Sequence, residues 1–101
     1  KGFAYQSPEF DSLLINGNSA TIKFKNVPNG LTAYGKTLTQ FEIAGADDVF
    51  IPAKATLLNN KIRVRSQKIK NPKRVRYGWK NYFEASLFNQ ERLPASSFQT
   101  D

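Results

Sequence analysis

Cysteine, histidine and methionine are all absent from this 101-residue chain, and tryptophan occurs once. Without cysteine there is no disulfide framework, no thiolate nucleophile and no cysteine metal site. That is compatible with cytosol, periplasm or cell surface. Without histidine the chain lacks the side chain that titrates near neutrality. Ser-His-Asp and Cys-His catalysis are excluded, along with most zinc and iron sites. Acids are scarce as well, eight against fifteen bases, and make poor material for paired carboxylates. No run approaches the roughly 18 apolar residues of a membrane span, and no signal-peptide pattern opens the chain.

What is present suffices for one modest core. Apolar residues make up 40% and phenylalanine alone contributes eight, while 23% are charged. A chain of this length and composition is expected to be a single folded domain, residues 1–101. The opening KGFAYQSPEF resembles the middle of a longer polypeptide more than a start, so an excised or processed domain is expected.

Period-two alternation recurs along the chain, and helical periodicity is weak. FDSLLING (10–17) and ATIKFKNV (20–27) flank NGNS (16–19), which predicts a hairpin turning at Asn-Gly. In the second run Ala20, Ile22 and Phe24 share one face and Thr21, Lys23 and Lys25 the other. LTAYGKTLTQ (31–40) is loop-like or a weak strand. FEIAG (41–45) is a short strand, ADD (46–48) a turn, and VFIPAKATLL (49–58) a strand interrupted by Pro52. Asn59-Asn60 then turns into KIRVRS (61–66), with Ile62 and Val64 inward. KRVRYGW (73–79) and SLFN (86–89) follow, and the tail is expected to be irregular but anchored by Leu93 and Phe98. About seven short strands without a helix predict an all-β fold, an antiparallel β-sandwich or a small barrel, with the sandwich favoured.

Nine of the fifteen basic residues lie between Lys61 and Lys80, interleaved at the end with rings in KRVRYGWKNYF (73–83). If strands 61–66 and 73–79 are neighbours, Arg63, Arg65, Arg74 and Arg76 form a positive stripe, and with Tyr77, Trp79 and Tyr82 they make candidate ligand or interdomain contacts. Stripes of this kind grip single-stranded nucleic acid when rings and charges share a surface. Alternation opposes that, since Val75, Tyr77 and Trp79 fall on one face and Arg74 and Arg76 on the other. The rings are therefore expected in the core or at its rim, and the arginines on a solvated face or against a neighbouring domain. The serines have no histidine to activate them. Two adjacent acids at 47–48 are turn formers before they are calcium ligands, and no metal or cofactor is expected.

From Phe41 onward, FEIAGADDVFIPAKATLLNNKIRVRS, then VRYGW, then ASLFNQERLPASSFQT together resemble the C-terminal region of the sialate O-acetylesterase family. The opening Gly-Phe, the hairpin at 10–27 and NGL at 29–31 also fit that family's segment after its catalytic module. Four positions depart from its pattern. Ser86 and Arg92 stand where Asn and Gly are usual, and Ser97 and Gln99 where Pro and Arg are usual. The resemblance implies a non-catalytic C-terminal β-domain of a larger enzyme, secreted or periplasmic, that removes acetyl groups from sialic acid or related sugars. The catalytic Ser, Asp and His would lie in an SGNH-type module of the same polypeptide, which would be this domain's partner. A carbohydrate-binding module stands as the alternative, with Tyr77, Trp79, Tyr82 or Tyr34 stacking on sugar and arginines welcoming an anionic sialoglycan. A single-stranded nucleic-acid binder is the third reading, and no membrane is expected.

Overall fold

Alternating apolar and polar residues at 20–25 become strand β2 (Ser19–Lys25) in the computed structural model, which describes residues 6–58, 60–79 and 86–100. β2 pairs antiparallel with β1 (Glu9–Asn16), with a bulge between Phe10 and Ser12. Asn16 faces Ser19, so the two-residue loop is Gly17-Asn18, one residue later than the expected Asn-Gly. Gly17 has φ 64°, the conformation a primed hairpin turn requires at its first central position.

β2 also pairs with β7 (Lys61–Arg65), and β7 with β6 (Lys54–Leu58), completing a four-stranded sheet ordered β1-β2-β7-β6. The second sheet runs β10-β8-β4-β5, from β10 (Phe98–Gln99), β8 (Arg74–Tyr77), β4 (Phe41–Ala44) and β5 (Ile51–Pro52). β3 (Leu31–Thr32) and β9 (Phe88–Asn89) form a small third pair at one end. The fold is all-β and antiparallel, two sheets facing each other across one core.

Three expectations about elements change. The run 49–58 is two strands, not one interrupted strand. β5 belongs to the second sheet, the chain crosses over at Ala53, and β6 belongs to the first. Pro52 sits on the short edge strand β5, where one side of the backbone makes no ladder bonds. The tail is not wholly irregular, because Phe98 and Gln99 add β10 beside β8 and bury the Phe98 ring. Among the described residues ten strands stand where about seven were expected, the surplus being two-residue strands too short to show a period.

Ala20, Ile22, Phe24, Ile62 and Val64 of the first sheet meet Phe41, Ile43, Val75, Tyr77 and Phe98 of the second, all buried. Each such aliphatic side chain contributes about 1.5–3 kcal/mol on burial. The Phe41–Tyr77 and Phe10–Phe98 rings pack at 4.7 and 5.3 Å between centroids. No helix of the described residues is long and apolar enough to cross a membrane.

Candidate functional site

The four arginines singled out in the sequence do not form one stripe. Arg63 and Arg65 lie on β7 in the first sheet, Arg74 and Arg76 on β8 in the second. The strands face each other through the core instead of pairing edge to edge, so alternation sends the two arginine pairs out through opposite faces of the sandwich.

On the second sheet the arginines are engaged. Arg76 lies directly across the ladder from Glu42, and its Nε donates to Glu42 Oε1 at 2.7 Å. The same guanidinium sits 4.1 Å above the Phe50 ring. Both partners are only about a quarter exposed, 24% and 23%, so this pair is less screened than a fully exposed one. Arg74 pairs with Asp48, whose backbone takes φ 59° at the end of the 45–48 turn. Asp48, Phe50, Arg74 and Arg76, with Gln99 and Thr100, line a shallow polar groove. Occupied by their own acids, the two arginines are poor anion receptors.

On the first sheet Arg63 and Arg65 are exposed and, among the described residues, make no ion pair.

The rings divide as well. Tyr77 is completely buried, packed against Phe41 and Phe98, and its hydroxyl accepts from the backbone N–H groups of Ser86 at 3.1 Å and Leu87 at 3.3 Å. No ligand reaches that ring. Trp79 was expected on the same core-side face, and it is 51% exposed. β8 ends at Tyr77, and Gly78 takes φ 61°, which breaks the alternation before it reaches the indole. Tyr82 lies outside the described residues.

Tyr34 is the second exposed ring. The chain reverses at Tyr34-Gly35, both with positive φ (54° and 75°), closed by the Lys36 N–H to Ala33 carbonyl bond of 3.1 Å. A bulky residue is uncommon in that conformation. The Tyr34 ring tilts against Phe88 at 5.2 Å, beside an open cleft of about 510 Å³ that is also lined by Lys36, Thr37, Thr39 and Ser86. The Ser86 hydroxyl donates to the Thr39 carbonyl and accepts the Thr39 N–H, which fixes the cleft wall.

Sequence reasoning missed Asn89, which is fully buried and satisfied on every side. Its Nδ2 donates to the carbonyls of Gln6 and Asn26, and its Oδ1 accepts from the N–H groups of Glu91 and Leu93. The side chain ties the segment before β1, the residue after β2 and the 90–93 turn together. Its only sequence signal is its place in the SLFNQERLPA string.

No protein-family model and no curated protein matches the chain. Among solved structures, a carbohydrate acetylesterase from Xanthomonas citri superposes with a TM-score of 0.90 at 36% identity. The match covers 100% of this chain and 24% of that enzyme. The chain therefore has the fold of one region of a carbohydrate acetylesterase and spans about a quarter of that enzyme's length.

Proposed function

We propose that this chain is an accessory, non-catalytic β-sandwich of a carbohydrate O-acetylesterase. In this reading an SGNH-type module of the same polypeptide carries the catalytic residues, and this C-terminal domain packs on it and shapes or stabilises it. The observation that carries the reading is the 36% identity to a carbohydrate acetylesterase, extending over the whole chain at a TM-score of 0.90. The chemistry agrees. The chain has no histidine to activate a serine, and the Ser86 hydroxyl is already committed to the backbone of Thr39. The purified chain is expected to hydrolyse p-nitrophenyl acetate no faster than buffer. Turnover that disappears on replacing a single serine would overturn the proposal. O-acetylated sialic acid is the finer substrate reading, supported by the ordered motifs from Phe41 to Thr100. A full-length enzyme that deacetylates other sugars and leaves O-acetyl sialic acid intact would remove it.

Direct carbohydrate binding is the second reading, favoured by the exposure of Trp79 and Tyr34, 51% and 49%. Flat sugar faces suit such rings, and the lone indole gives a clean signal. Oligosaccharides that bind are expected to shift its emission to the blue. Unchanged spectra across neutral and sialylated glycans would leave stacking on Trp79 without support.

A further inference from the structure

The outer face of the β1-β2-β7-β6 sheet carries Lys23, Lys25, Lys54, Lys61, Arg63 and Arg65, all on the solvent side by alternation and none in an ion pair among the described residues. The register sets like charges directly opposite each other twice, Lys23 across from Lys61 and Arg65 across from Lys54. Opposed like charges destabilise a sheet. Two acids border this face on β1: Glu9, directly across from Lys25 at one corner, and exposed Asp11 in the bulge beside Ser12. Cations recur about every 7 Å along β7 and at roughly 4.8 Å steps between strands, a flat grid of positive charge.

We propose that this face binds an anionic polysaccharide, a chain of sugar carboxylates laid across β2, β7 and β6. Charge complementarity fixes the sign of the partner, and the surroundings argue against a nucleic acid or a desolvated protein interface. Besides the cations, the rows across these strands hold Ser12, Leu14, Thr21, Thr56 and Leu58. No ring stands among them for a nucleobase to stack on. Four of the six cations are lysines, which are depleted in the desolvated cores of protein interfaces, whereas a hydrated glycan leaves each ammonium wet. The choice of a glycan rests on the carbohydrate-esterase reading; the charged face does not.

Calorimetric titration of the 101-residue chain with polygalacturonate, at about 50 mM NaCl, tests the proposal. Binding that weakens steeply with added salt is expected. The triple variant Lys23→Gln, Lys61→Gln, Arg63→Gln is expected to bind at least ~10-fold more weakly. A control that removes three charges elsewhere, Lys36→Gln, Lys70→Gln, Lys73→Gln, is expected to change affinity less than ~2-fold. The single variant Lys61→Gln relieves one opposed pair, so a maintained or raised Tm separates lost binding from lost folding. No binding to polygalacturonate overturns the proposal, as does equal weakening by both triples. Oligo-dT bound as tightly as the uronan, or an acidic esterase module bound when the uronan is not, overturns it in favour of those partners. These outcomes are independent of the p-nitrophenyl acetate assay, so the two readings fail separately.

Discussion

The Asn89 side chain bonds the backbone of three separate segments at once. Replacing it with alanine strands two carbonyls and two N–H groups around a closed site. With each unsatisfied group costing about 1–3 kcal/mol, Asn89→Ala is expected to destabilise the domain by at least ~3 kcal/mol, read as a lower urea midpoint at unchanged m-value. Arg92 is the converse case, a position where the side chain gains nothing from its backbone. It takes φ 71° in the turn before Leu93, where the resembled family has glycine. The left-handed conformation costs a non-glycine residue roughly 1–2 kcal/mol, and glycine returns part of that as unfolded-state entropy. Arg92→Gly is therefore expected to stabilise by about 0.5–1 kcal/mol, measurable as a small rise in Tm.

At the scale of elements, β8 shows how one residue redirects a strand. Val75 and Tyr77 face the core as alternation demands, and continuation would bury Trp79 beside them. Gly78 instead donates its N–H to the Gln40 carbonyl at 3.0 Å with φ 61°, and the chain leaves the sheet. Gly78→Ala forces a Cβ into that conformation. It is expected to cost about 1 kcal/mol in chemical denaturation and to alter Trp79 emission, because the ring's exit direction depends on that bend. Alternation was legible in KIRVR and ATIKFK because both strands keep a buried and a wet face for several residues. It was not legible in β3, β5 and β10, where two residues give no period to read, whereas β9 falls inside the expected strand SLFN. Neither did it mark the crossover at Ala53, since apolar residues continue on both sides of it.

Across the whole molecule the pairing is non-local. β2 finds β7 some forty residues on, β4 finds β8 across the β6–β7 hairpin, and β10 joins only at the end of the chain. Such topology places loop closure ahead of the contacts that reward it. Refolding followed by stopped-flow circular dichroism is expected in the range of roughly milliseconds to seconds. A microsecond relaxation would contradict this pairing order. The same topology denies the arginine stripe its condition, because β7 and β8 belong to different sheets. Lys61, Arg63 and Arg65 pointed outward as expected, but their neighbours are Lys23 and Lys54, not Arg74 and Arg76.

By itself the sequence determined the all-β class, the two hairpins, the inward set from Ala20 to Val64 and the lack of a histidine-based nucleophile. Each of those follows from residue type and spacing along a few neighbours. Its resemblance to an esterase C-terminal region agrees, at the level of a carbohydrate acetylesterase, with the structural match. Only the tertiary structure decided which sheet each strand joins. It therefore decided that Arg76 is held by Glu42, that Tyr77 is sealed and Trp79 open, and that six cations share one face. Those outcomes depend on strand register and on backbone bends such as Gly78, which arise from contacts between segments far apart in the chain.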